Sequence, residues 1–239
     1  MDASKANSIK AKRGLSPSRA LRKAMRDRGA KVGSITYFYS GKNDIDIVFP
    51  NEILYASGLL LEADERVRGY EADPDRIRET LHEAGFAGSV PQLIVRLWEQ
   101  RPLLLKVTYL ARDVEKDAQQ QLANAIGCDY QVWDINYVQT HERLLHDWLQ
   151  IAPVLAQSHL AIKTQYDFLH KLLLEACAET ATLAEIKKSN LAPWDVVFAA
   201  IFFLAQRALL TTDLHIHPLS AETSVRRRET NSAYQKIFT

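Results

Sequence analysis

The residues able to do chemistry in this chain of 239 are mostly cations. Lys12, Arg13, Arg19, Arg22, Lys23 and Arg26 belong to a group of ten Lys and Arg within residues 1–32, set against Asp2 and Asp27 alone. A local excess of about +8 in a chain of net charge +1 is an electrostatic footprint for a polyanion. A solvated, disordered tail is the plain alternative. Arg226, Arg227 and Arg228 form a second basic cluster near the C-terminus. Three adjacent arginines often just begin a solvated tail, but beside the N-terminal arm they add weight to nucleic-acid binding.

The remaining constellations are weaker. His215-Ile216-His217 can present two imidazoles on one side of a strand, yet no third ligand is in reach, so a surface wing is the better reading. His141 and His146, five apart, do not share a helix face and carry no metal expectation. Glu62, Asp64, Glu65, Glu71 and Asp73 make an acidic cluster that reads as a solvated face. No nucleophile elbow and no Gly-rich phosphate loop occurs, which speaks against hydrolase and NTPase chemistry.

The elements that must position these groups follow from periodicity and punctuation. Ser16-Pro17-Ser18 caps a basic helix expected to reach Arg28, with Gly29 and Gly33 beyond it. Ile45–Phe49 is a short strand after the turn "SGKND". Asn51–Glu65 is helical, with Ile53, Leu54, Leu60 and Leu61 on one face. "VRGYE" and "RIRETLH" read as extended segments joined by the turn "ADPD". "LIVRLW" and "LLLKVTYL" form a hairpin across "EQRP". A helix from Asp113 to Ile126 stopped by Gly127, a strand "YQVWDI", a helix near Tyr137–Trp148 and another from about Val154 complete the first part.

After about Gln157 the pattern is mostly helical. "TQYDFLHKLLLEACAE" is amphipathic, "TLAEIKKS" starts on a Thr cap, and "PWDVVFAAIFFLAQRAL" is apolar on most sides and should be buried. "LTTDLHIHPLSAETSV" then alternates like a wing, and a helix of such a module commonly enters the major groove of DNA. A small all-α packing domain is the alternative. The expected division is a basic arm 1–32, an α/β domain 33–157, a winged-helix-like domain 158–228 and a tail 229–239. Hydrophobic content of 47% and charged content of 25% are those of an ordinary globular protein. No run approaches 18 apolar residues, so no membrane association is expected. The start carries no apolar stretch of a secretory signal. Cys128 and Cys177 alone give no disulfide framework or zinc set, so a reducing, cytoplasmic setting is expected.

The segments "GSITYFYSGKNDIDIVF", "GLLLEADERVRGYEADPDRI", "PQLIVRLWEQRPLLLKV" and "LLTTDLHIHPLSAETSV" resemble the TnsA family, endonuclease subunits of heteromeric DNA transposases. The resemblance runs from about Gly33 to Val225. It implies a restriction-endonuclease-like mixed sheet flanked by helices, then a small winged-helix-like domain. It also implies DNA and a partner transposase subunit as partners. The family's chemistry needs an acid on the first helix, then Pro-Asp, then an acid and a Lys one residue apart. The carboxylates hold Mg²⁺ to activate water, and the lysine offsets developing charge.

At those positions the chain carries Pro91-Gln92 and Lys106-Val107-Thr108. Gln92 offers only a neutral carbonyl, Lys106 puts a cation where the metal belongs, and Thr108 supplies no ammonium. The helix acid falls near Ile53 or Leu54, one or two residues from Glu52 and so roughly 100–200° around the helix. The expectation is a catalytically degenerate DNA-binding subunit needing no cofactor. In it Lys106 meets phosphate beside Arg96 and Arg101, or simply faces solvent. The alternatives are an active Mg²⁺-dependent endonuclease using Glu52, Glu99 and Lys106, and a stand-alone winged-helix regulator.

Overall fold

Gln92 and Lys106 owe their positions to a four-stranded mixed sheet in the order β3-β4-β5-β6. The computed structural model describes residues 35–98, 100–109 and 116–228. The basic arm with its expected helix, Glu99 and the tail 229–239 lie outside the described residues. Strands β3 (Val67–Glu71), β4 (Leu93–Leu97) and β5 (Leu103–Val107) pair antiparallel in sequence order. Strand β6 (Asp129–Trp133) pairs parallel to β5. A parallel pair needs a crossover, and α3 (Lys116–Ala125) lies within it, with Gly127 at φ +74° as the expected stop.

Helix α1 (Glu52–Ala63) covers one face of this sheet. Asn51 caps it by accepting from the Leu54 N–H at 2.9 Å. Its buried residues run unbroken from Ser57 to Glu62, because sheet, hairpin and helices enclose it on several sides. Helix α2 (Pro74–Glu83) packs on the other face through Ile77 and Leu81, beside Leu104 of β5 and Tyr130 of β6. This corrects the extended reading of "RIRETLH". Asp73 caps the segment, Pro74 opens it with a preset φ, and Ile77 and Leu81 stand one turn apart, so helical spacing outweighs local alternation.

A separate hairpin of β1 (Thr36–Ser40) and β2 (Ile45–Phe49) precedes α1. Its turn is held by Asp44, at φ 56°, which accepts from the Tyr39 hydroxyl and the Lys163 ammonium, each at 2.6 Å. After β6 come α4 (Ile135–Thr140) and α5 (Glu142–Thr164). Two expected helices near 137–148 and from 154 become one 23-residue helix, α5, after a break at His141. Pro153 sits on its exposed side, where the lost backbone bond faces water.

The C-terminal part runs α6 (Tyr166–Ala176), β7 (Ala181–Thr182), α7 (Leu183–Lys188), α8 (Trp194–Gln206), β8 (Leu210–Thr212) and β9 (Ser224–Arg227). The sheet order is β7-β9-β8, so the last strand is central and antiparallel to both neighbours. The expected Thr cap is present as a reciprocal capping box between Thr182 and Glu185. Helix α8 is buried from Ala199 to Gln206, as its composition required. The expected boundary at 157/158 falls inside α5, and one continuous core runs from Phe38 to Val225. No helix among the described residues is long and apolar enough to cross a membrane.

Candidate functional site

Gln92 lies one step beyond the pair Leu93–Leu105, so β4 begins beside the end of β5 and brings Gln92 next to Lys106. The Gln92 N–H donates to the Leu105 carbonyl at 3.1 Å, and the Gln92 Oε1 accepts from the Val107 N–H at 2.8 Å. The side chain thereby continues the ladder where β4 has run out. Thr108 is tied to the other neighbour, its N–H donating to the Trp133 carbonyl at 3.0 Å. Strand alternation sorts the faces: Leu103, Leu105 and Val107 join the α1 side, whereas Leu104 packs toward α2. Lys106 and Thr108 therefore share the α2 side with Gln92, all three half-buried.

Glu52 is not brought to this group. It is an exposed residue of the first turn of α1, on the opposite face of the sheet. A magnesium ion asks for hard, preferably anionic oxygen ligands. The set here is one amide oxygen already accepting a backbone bond, one hydroxyl and one ammonium. This donor set does not fit the ion.

The expected cluster of Lys106 with Arg96 and Arg101 is not formed. Arg96 lies toward the far end of β4 and Arg101 in the turn before β5, both exposed. Four residues of strand at about 3.3 Å each put Arg96 roughly 13 Å from the Lys106 level. Arg96 instead stands opposite Gly69, at the irregular pairing between β3 and β4. Arg226 and Arg227 are not the start of a tail: they are exposed residues of the central strand β9, paired with Thr211 and Leu210. Arg228 is half-buried at 3.6 Å from the Glu65 carboxylate. His215 and His217 are exposed in the β8–β9 connection.

The acidic cluster is not a solvated face. Glu71 accepts from the N–H groups of Ala72 and Asp73, each at 3.0 Å. Asp64 holds Arg66 with both oxygens, at 3.0 and 2.7 Å. Glu65 accepts from the Thr211 hydroxyl at 2.8 Å. Glu62 is only 2% exposed.

Four donors converge on Glu62. The Ser40 and Tyr70 hydroxyls donate to Oε1 at 2.5 and 2.9 Å, and the Gln206 Nε2 and Lys42 N–H donate to Oε2 at 2.5 and 3.2 Å. Burial pushes the Glu62 carboxyl above its usual range, while Lys42 and the hydroxyls draw it back. Burial also lowers the Lys42 ammonium to about 8, although Glu62 favours its charge. That ammonium donates to the Asp64 and Val67 carbonyls, the latter at 2.6 Å. Burial and the adjacent Glu62 charge push the Tyr70 phenol well up. The node ties the β1–β2 turn, α1, β3 and α8 together. Sequence did carry a signal for it: Glu62 falls on the same helical face as Tyr55, Gly58 and Leu59, where an acid needs buried partners.

The chain matches no family model and no curated protein.

Proposed function

We propose that the chain is a DNA-binding subunit built on a nuclease-type core whose metal chemistry has been replaced, acting beside a partner transposase. The observation that carries this reading is the pairing of Gln92 with the Lys106–Thr108 strand end. Two adjacent strand ends, one bearing a neutral amide and the other an ammonium, suit a phosphate better than a metal ion. A mixed sheet with helices on both faces is compatible with the restriction-endonuclease-like core that the TnsA resemblance implies.

The C-terminal part is read as winged-helix-like. Its element order of helix, strand, two helices and two strands, with the last strand central, supports that reading. Helix α8 takes the place of a groove-reading helix, yet its last two turns are buried against α5 and α6. DNA contact therefore falls to the β8–β9 connection with His215 and His217, to Arg226 and Arg227, and to the basic arm. This favours backbone contact over base reading, and disfavours a stand-alone regulator that recognises one short sequence.

The test is one labelled duplex assayed for binding and nicking, with and without Mg²⁺ or Mn²⁺. Binding that weakens steeply with salt, without nicking, is the expected result. Divalent-dependent nicking abolished by Glu52→Ala would replace this reading with the active endonuclease.

A further inference from the structure

On the α1 side of the sheet, beyond the ends of β5 and β6, lies a cleft of about 530 Å³. That is the size range of small-molecule sites. One wall is a ladder of three rings. Trp133 and Tyr137 stack at 4.5 Å with 18° between planes, and Tyr137 and His141 follow at 4.5 Å and 35°. Trp148 and Phe202 give the cleft an apolar floor. Arg66, Arg143 and His215 also line it.

The polar groups sort by what already engages them. Asp64 is taken by Arg66, Glu65 by Thr211, and Glu62 by its four donors, so the acids lining the cleft have partners. Apart from Arg66, which Asp64 holds, the cations are less committed. Arg143 has its nearest acid at 3.6 Å, the Asp147 Oδ2. That oxygen belongs to a residue 2% exposed and has no hydrogen-bond partner among the described residues. The pair is beyond hydrogen-bond distance, so it leaves the Arg143 N–H groups for a ligand. His141 donates from Nδ1 to the Tyr137 carbonyl at 2.8 Å, since a carbonyl only accepts, which leaves Nε2 for a ligand. His215 is exposed and lines the cleft as well.

An aromatic wall beside a guanidinium whose ion pair is no closer than 3.6 Å and two imidazoles suits a ligand that is planar at one end and anionic at the other. We propose that this cleft binds a nucleoside monophosphate unit, its base against the Trp133–Tyr137–His141 wall and its phosphate on Arg143 and His215. Edge-to-face contact along the side of the stacked rings and bidentate phosphate contact by arginine are means of holding such a unit. The unit comes either from a free nucleotide or from the end of a strand. The site lies on the face opposite Gln92 and Lys106, shares only His215 with the surface read as contacting DNA, and through its dAMP arm is tested apart from that reading.

Trp133 and Trp148 line the cleft, so intrinsic fluorescence reports occupancy. The full chain is titrated with dAMP, with inorganic phosphate, and with a 5′-phosphorylated oligodeoxyadenylate. Saturable quenching by dAMP or by the oligonucleotide, at least tenfold tighter than by phosphate, is expected. It should weaken at least tenfold in Arg143→Ala and in His215→Ala, both exposed positions whose folding is checked by thermal melting. Tighter binding of the oligonucleotide assigns the unit to a strand end, and tighter binding of dAMP to a free nucleotide. No saturable quenching, equal binding of phosphate alone, or unchanged affinity in both variants would overturn the proposal. Duplex binding in the earlier assay is unaffected by any of these results.

Discussion

At the scale of single residues, Glu62 is the group on which most of the polar interior converges. Removing one partner of a buried charged network leaves the others unsatisfied, which costs about 3–5 kcal/mol, whereas a neutral isostere retains part of the bonding. Glu62→Ala should lower the denaturant midpoint far more than Glu62→Gln, measured by urea unfolding at pH 7. Similar losses for both variants would mean that the carboxylate's charge, and not its set of donors, is what matters. Lys42 gives a pH signature. Its folded value of about 8 lies below the 10.5 of an unperturbed lysine, so between these values the unfolded chain binds the extra proton. Its contribution to stability therefore rises with pH through that window, is complete above 10.5, and is lost as pH falls through 8. The difference in unfolding free energy between wild type and Lys42→Met should change in this direction from pH 8 to 10. A flat difference would show that the ammonium is as well solvated as in the unfolded chain.

Among the elements, α1 shows how packing overrides propensity. A Gly inside a helix ordinarily gains about 0.8–1 kcal/mol on replacement by Ala. At Gly58 the added Cβ would stand 2.6 Å from the ring of Phe49, which is 1% exposed and cannot swing away. Overpacking of this kind costs about 1–3 kcal/mol, so Gly58→Ala should lower the melting temperature. A rise would mean that the hairpin shifts freely on the helix. The same contest explains what sequence could and could not tell. Period and caps were enough for α1, α6, α7, α8 and the β4–β5 hairpin, whose apolar spacing, Thr182 cap and turn agree with their surroundings. They were not enough for α2, where alternation in "RIRETLH" hid the Asp73-Pro74 start. They also missed α5, where Pro153 looked like a break but sits on the wet side of the helix. Strand β1 went unread because its Tyr and Phe find their partners on β2 and in Tyr55, not in the main sheet. For the site, adjacency of Gln92 with Lys106 was legible through the hairpin. The distance to Arg96 and the burial of Glu62 depend on register and on α8, which lies 144 residues away along the chain.

For the whole molecule, charge is separated along the chain. Residues 1–32 carry ten cations against two acids, and the rest is net negative because the whole chain sums to +1. Residues 33–239 at that sign repel a duplex at long range, so on the DNA-binding reading proposed above the attraction comes from residues 1–32, helped locally by Arg226, Arg227 and Lys106. Each phosphate neutralised by a Lys or Arg contributes about −0.9 to the slope of log K against log salt on duplex DNA. If the arm supplies most of the contacts, removing residues 1–32 should make that slope shallower by roughly five or more, and weaken binding at low salt by several orders of magnitude. Replacing Lys106 by Ala should change the slope by only about one unit. Both are measured by fluorescence anisotropy on one duplex across a salt series. An unchanged slope after arm removal would place the DNA contact on residues 33–239. The exposed Arg226 and Arg227 of β9 and the β8–β9 connection would then be the surface to substitute next.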